Sequence, residues 1–151
     1  MLTPEIVAAA QASHKKFWPL GPFVSVTLAQ FGLESAWGKY ASGENNFFGI
    51  KANAAQIAAG EFKTVWTKEV IGGRCYSVQQ HFANYSSLEA CFDAHATLLT
   101  QSHYLLCEQA KTPEDYCRAL QRCGYATDPN YAEKLIEIIG SANLNRYDQT
   151  F

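Results

Sequence analysis

From Pro22 to Leu33 the chain carries no charge, and it then places a single acid, Glu34, at the end of that run. Phe23, Val24, Val26, Leu28, Phe31 and Leu33 spread round the whole helical wheel, which predicts a helix buried on most sides with the remaining chain packed around it. A carboxylate at the end of such a helix is unusual. Gln30 and Phe31 lie one turn back and Trp37 three residues on, so loss of water around the carboxyl is expected to raise its pKa and keep it protonated near neutral pH. That is how a general acid is prepared. The competing reading is a frayed helix end in water, since glutamate is rarely buried without a partner.

At 151 residues, 48% hydrophobic and 17% charged, the chain is expected to form one domain over residues 1–151 with a core that needs no staples. Net charge is −2 and no basic cluster exceeds Lys15-Lys16, which argues against nucleic acid or an anionic membrane as partner. The five cysteines, Cys75, Cys91, Cys107, Cys117 and Cys123, are odd in number and form no CxxC pair. Free thiols in a reducing compartment, several of them filling core positions, are expected. Cys107, Cys117, Cys123 and His103 lack the spacing of a zinc site, and neither a metal nor another cofactor is expected. The first residues have no basic stretch ahead of their short apolar run and do not read as a signal peptide. No apolar run reaches the ~20 residues that span a membrane. The expectation is a monomer made in the cytoplasm.

Thr3-Pro4-Glu5 predicts a first helix to about Phe17, burying Ile6, Val7, Ala10 and Phe17. Pro22 is expected to open the central helix, and Trp37-Gly38 to end it with a left-handed glycine. Lys39 to about Gly60 reads as a long irregular loop, of the kind that is functional or mobile. FKTVWTKEV and CYSVQQHFANY form two β-rich runs joined at Gly72-Gly73, a hairpin whose register Ile71 and Arg74 leave open. Ser86-Ser87-Leu88-Glu89 is a capping box ahead of a helix whose apolar stripe includes His95, read as a core histidine with a partner. Further helices start at Thr112-Pro113 and Asp128-Pro129. The pattern predicts a mainly helical α+β fold with one small β-lobe.

If the bond broken is glycosidic, a protonated acid needs a second carboxylate across a cleft, to activate water or to stabilise an oxocarbenium-like ion. Glu44, Glu61 and Glu69 are candidates, and composition does not choose among them. Glu69 stands out because it lies near the hairpin turn.

Glu34-Ser35-Ala36-Trp37-Gly38 followed by Asn46-Phe47-Phe48-Gly49-Ile50-Lys51 resembles the glucosaminidase domains of bacterial autolysins, flagellar peptidoglycan hydrolases and phage endolysins, glycoside hydrolase family 73. Thr67-Lys68-Glu69, then Phe82 and Tyr85, then Gly124-Tyr125-Ala126-Thr127-Asp128-Pro129-Asn130-Tyr131-Ala132 continue the resemblance in order, from about Pro22 to Ile139. The resemblance implies a lysozyme-like fold, with Glu34 as general acid, Glu69 as second carboxylate, Tyr125 lining the cleft and Asn46 helping to build the loop below. Trp37, Phe48 and Tyr131 are candidates to pack against sugar faces, with core packing as the alternative. Ala83 stands where the family has arginine, and Val70 where it has an aromatic residue. The implied activity is cleavage of the β-1,4 bond after N-acetylglucosamine in peptidoglycan glycan strands. A phage or prophage endolysin, released to the wall by a separate membrane-lesion protein, is the expected setting. A muramidase or lytic transglycosylase on the same scaffold, and a non-catalytic glycan-binding phage structural module, are the rival readings.

Overall fold

The computed structural model describes residues 1–148, and its first helix, α1 (Pro4–Phe17), begins where the capping chemistry predicts. Thr3 Oγ1 accepts the Ile6 N–H at 3.3 Å, and Pro4 opens the helix. Glu5 faces the positive end of the helix dipole, and His14, Lys15 and Lys16 face the negative end.

The central helix, α2, runs Val24–Ser35, two residues later than a start at Pro22. Phe23, at φ −60° and ψ 148°, is still extended and offers no side-chain oxygen as a cap. Every residue from Val24 to Gly32 is buried, as the wheel predicts. The exit is sharper than one left-handed glycine: Ala36, Trp37 and Gly38 have φ of 49°, 61° and 88° in succession. Left-handed backbone at the two non-glycine residues costs about 1–2 kcal/mol each. Ser35 helps hold the turn, its hydroxyl donating to Phe31 O at 2.6 Å and accepting the Gly38 N–H at 2.9 Å. Gly32 lets Trp37 fold back over the helix, since a Cβ there would lie 2.7 Å from the indole.

The segment from Lys39 to Gly60 is not irregular throughout. It contains a short helix, α3 (Ala54–Ala59), closed by reciprocal Asn53 and Gln56 side-chain bonds to each other's backbone N–H. None of its residues is buried, so it has no apolar stripe for periodicity to detect. Strands β1 (Phe62–Ile71) and β2 (Arg74–Ala83) then pair antiparallel, with Ile71 opposite Arg74 and Glu69 opposite Tyr76. Gly72 and Gly73, at φ 58° and 79°, supply the two left-handed positions of the tight turn. The root of the hairpin is tied to the loop by Ala52 N–H to His81 O at 2.8 Å and Ala83 N–H to Ile50 O at 3.0 Å. Lys68 to Ser77 are exposed throughout.

Helix α4 (Leu88–Leu99) is capped by Ser87, whose oxygen accepts the Ala90 N–H at 3.1 Å, one residue later than the Ser86–Glu89 box. A 3₁₀ turn at Ser102–Tyr104 and the short α5 (Leu105–Glu108) lead to α6 (Pro113–Arg122), capped by Thr112 as expected. α7 (Tyr131–Ser141) starts two residues after Pro129, and a 3₁₀ turn at Leu144–Asp148 buries Leu144. α2 packs against α1, α6, α7 and this last turn. The rings of Phe31, Phe48 and Phe92 meet at 5.1 to 6.3 Å in the core. The fold is α+β and mainly helical, with a two-stranded sheet.

All five thiols are free, with Cys91, Cys107 and Cys117 buried and Cys75 exposed at the hairpin. Among the described residues no group of three or more His, Cys, Asp or Glu side chains is arranged to hold a metal ion. No helix among them is long and apolar enough to cross a membrane.

Candidate active site

Glu34 lies in the last turn of α2. As a residue it is exposed, so a ligand reaches it, yet packed protein strips enough water from its carboxyl to raise the pKa above the ordinary glutamate value. A hydrogen bond from Tyr131 opposes part of that rise. The Tyr131 hydroxyl donates to Glu34 Oε1 at 3.1 Å and accepts from Gln30 Nε2 at 2.9 Å. Gln30 Oε1 in turn lies 2.7 Å from His95 Nε2. His95 is fully buried and stacks on Phe48 at 4.0 Å. Burial pulls its pKa down to about 3, so the imidazole is neutral.

Three helices build this group. Gln30 and Glu34 share a face of α2 one turn apart, His95 comes from α4, and Tyr131 is the first residue of α7. Gln121 of α6 fixes where α7 begins: its side chain accepts the Ala132 N–H at 2.8 Å and donates to Pro129 O at 2.7 Å. Asp128 accepts the Asn130 N–H at 2.9 Å, and its other oxygen pairs with Lys134. Tyr125 is half-buried and stacks on Tyr131 at 5.7 Å, with the rings 21° apart.

Glu69 belongs to a different environment. It is exposed on β1, and its Oε1 accepts from Gln80 Nε2 at 3.2 Å. Its partner is on the hairpin, while that of Glu34 is on the helical body.

The candidate sugar-contacting residues divide. Phe48 is 3% exposed and wedged among Phe31, Phe92 and His95, so the core-packing alternative describes it and no face is left for a sugar. Trp37 packs on Gly32, which is two residues and so about 200° around the helix from Glu34. There it borders a surface depression with Leu2, Ala142 and Tyr147, away from the acid. Tyr131, 3% exposed, meets the carboxyl with its hydroxyl and offers no open ring face. Asn46 is fully buried, donating to Ile50 O and Ala83 O and accepting the Ile50 N–H, so it builds the loop and lies out of a ligand's reach. In the sequence Gln30 shows only as a neighbour of the acid, and nothing within a few residues of His95 identifies its partner. The available signal was that a glutamine in an uncharged buried helix and a histidine in an apolar stripe each require a polar partner.

A surface groove bordered by Arg118, Arg122, Ile136 and Glu137 on α6 and α7 is lined by none of Glu34, Glu69, Tyr125 and Tyr131. Glu34 is instead open to its surroundings, which suits a polymer better than an enclosed small-molecule pocket does.

The Glucosaminidase family model, described as mannosyl-glycoprotein endo-beta-N-acetylglucosaminidase, matches residues 8–144. The chain belongs to the glucosaminidase family. Exo-glucosaminidase LytG of Bacillus subtilis (strain 168) is 34% identical over 148 residues, which are 93% of this chain and 50% of LytG. Peptidoglycan hydrolase FlgJ of Salmonella typhimurium is 42% identical over 119 residues, 74% of this chain and 37% of FlgJ. This glucosaminidase chain therefore spans half or less of the length of these two relatives. The catalytic domain of the autolysin Auto from Listeria monocytogenes matches it with a TM-score of 0.79 at 33% identity, covering 98% of this chain and 90% of that domain. The chain shares the lysozyme-like fold of this domain and of the glycoside hydrolase domain of Salmonella typhimurium FlgJ.

Proposed function

We propose that this glucosaminidase hydrolyses peptidoglycan glycan strands at internal β-1,4 bonds after N-acetylglucosamine, with Glu34 as general acid. The observation that carries the reading is a carboxyl whose pKa is raised by burial and whose Oε1 is held by the Tyr131 hydroxyl. Such a carboxyl gives a proton to the glycosidic oxygen, and the same hydroxyl then stabilises the carboxylate left behind. FlgJ is named a peptidoglycan hydrolase and LytG an exo-glucosaminidase, which supports the choice of polymer and of sugar. LytG's name also favours a second reading, release from chain ends.

In the proposed reaction Glu69 is the second carboxylate, activating water or stabilising the oxocarbenium-like ion. If the substrate's own acetamido group attacks, Glu69 stabilises that group instead. Its position on an exposed two-stranded arm supports a carboxylate that moves towards the acid when substrate binds. Tyr125, half-buried beside Tyr131, is the proposed cleft-lining residue.

We further propose a phage or prophage endolysin, made in the cytoplasm and admitted to the wall by a separate membrane-lesion protein. Five free thiols, three of them buried, support folding in a reducing compartment.

The deciding experiment digests purified peptidoglycan, reduces the products with borohydride and identifies the sugar alcohol at each new end by mass spectrometry. Reduced N-acetylglucosamine is expected. Reduced N-acetylmuramic acid would make the enzyme a muramidase, anhydro ends a transglycosylase, and binding without new ends a glycan-binding module. Rapid shortening of long strands separates internal cleavage from release of fragments at the ends.

A further inference from the structure

The contact between Tyr131 and Glu34 is the outer end of a longer buried chain. His95 Nε2 lies 2.7 Å from Gln30 Oε1, Gln30 Nε2 lies 2.9 Å from the Tyr131 hydroxyl, and that hydroxyl lies 3.1 Å from Glu34 Oε1. Gln30 and His95 are 0% exposed and Tyr131 3%, so bulk water is not an alternative partner for any of them. Each contact needs one donor and one acceptor, and a Tyr131 hydroxyl that accepted from both neighbours would bury its own proton unpaired, so all the hydrogens point the same way along the chain.

Two directions are available. Pointing towards the acid, neutral His95 carries its proton on Nε2 and donates to Gln30. Gln30 then donates to Tyr131, and Tyr131 donates to Glu34 Oε1. Pointing away, Glu34 donates from Oε1 to Tyr131, Tyr131 to a flipped Gln30 amide, and Gln30 to a bare His95 Nε2. The imidazole proton must then sit on Nδ1. His95 Nδ1 is buried and has no hydrogen-bond partner. The second direction strands an N–H donor at that atom, whereas the first leaves only a lone pair there. Orphaned buried N–H groups are the rarer defect in folded proteins.

We infer that His95 and Gln30 are positioning residues that set the hydrogen-bond direction at the acid, so that Glu34 accepts at Oε1 and keeps its transferable proton on Oε2. The inference rests on the reading of Glu34 as general acid. Oε2 has no protein partner among the described residues, so a proton there is available to a bound glycosidic oxygen. With the chain reversed, the proton sits on Oε1 and is committed to Tyr131. Phe48 takes part by stacking on the imidazole at 20°, which holds the plane of the ring. Two titratable groups bear on the carboxyl, Tyr131 from α7 and Tyr125 from the loop before it. Burial pushes both phenols above the usual tyrosine range, so both stay protonated while Glu34 titrates.

His95→Phe keeps an aromatic ring against Phe48 but removes the donor, freeing the Gln30 amide to flip. It is expected to lower kcat about tenfold with KM nearly unchanged. It should also move the alkaline limb of the kcat–pH profile upward, because a Tyr131 hydroxyl turned towards Gln30 no longer stabilises the Glu34 carboxylate. His95→Gln restores a donor and should recover most of the rate and the original limb. His95→Met, which likewise removes the donor and leaves the Gln30 amide free to flip, should reproduce the His95→Phe profile and replaces it if thermal melting shows that variant to be unfolded. Nitrogen NMR of the wild-type imidazole should show Nε2 protonated and Nδ1 bare, with no titration between about pH 5 and 8. A proton on Nδ1, an unmoved rate and limb in His95→Phe, or equal losses in His95→Phe and His95→Gln would overturn the inference. Glu34→Gln separates the two ideas: retention of about a tenth of the wild-type rate sinks the general-acid reading whatever tautomer His95 shows.

Discussion

The two carboxylates proposed for one reaction are held in opposite ways. Glu34 ends a helix buried from Val24 to Gly32, and it is braced from behind by Tyr131, Gln30 and His95. Glu69 lies on an arm exposed from Lys68 to Ser77, beyond the last backbone ties to the body, with one bond from Gln80. A two-stranded hairpin is marginal in water by itself, so the arm is the part of the molecule free to adapt. The difference teaches where precision matters: proton transfer to a glycosidic oxygen requires fixed geometry, whereas stabilising a spread positive charge tolerates movement.

The largest expected effect tests the rigid side. Glu34→Gln should lower kcat by about 10²- to 10⁴-fold, because the shape is kept while the proton is lost. Its stability should respond to pH in the opposite sense from a paired carboxylate. Burial raises the folded-state pKa of Glu34, so wild type loses stability as pH rises from the unfolded glutamate value through the raised one. Glutamine has no such loss, and the melting temperature of the variant relative to wild type should rise across that window. A constant difference between pH 4 and neutrality would mean that desolvation at the carboxyl is negligible.

The second test moves to the join between the two regions. Asn46 makes three side-chain bonds to the backbone of Ile50 and Ala83 at the root of the hairpin. Asn46→Ala removes all three bonds, leaving the Ile50 N–H without its acceptor while Ile50 O keeps the Ala83 N–H, and should cost about 2–4 kcal/mol in chemical denaturation. A cost below about 1 kcal/mol would mean that the root is held by the remaining backbone ties alone.

Glu69→Gln is expected to be smaller in rate effect than Glu34→Gln, about tenfold to a hundredfold in kcat, with stability within ~0.5 kcal/mol of wild type because the site is exposed. Unimpaired turnover would remove Glu69 from the reaction and favour a transglycosylase. A loss equal to that of Glu34→Gln would erase the contrast between the two regions.

Features whose causes are local in sequence were legible in advance. Thr3 and Thr112 cap their helices, the glycine pair turns the hairpin, and the uncharged run is buried on nearly every side. Features set by partners far away in the chain were not. Gln30 and His95 are 65 residues apart, and a pattern that reads three or four residues at a time has no means of joining them. Trp37 and Phe48 look equally like sugar platforms as letters. Three successive left-handed residues turn one onto Gly32, and stacking on His95 draws the other into the core. Asn53 and Gln56 form a capping box without the usual serine or threonine, which hid α3 in what reads as loop.

The smallest effect provides the finest test of the comparison. Gln80 holds Glu69 by a 3.2 Å bond between groups on the hairpin, and Glu69 itself is exposed. Water is available to replace that bond, so its net worth is at most about 1 kcal/mol, or roughly fivefold in rate. Gln80→Met keeps the length of the side chain and should lower kcat by no more than that, with an unchanged melting temperature. If it instead falls as far as Glu69→Gln, the arm positions its carboxylate as strictly as α2 positions Glu34. The two regions would then differ in exposure but not in the geometric precision that the reaction demands of them.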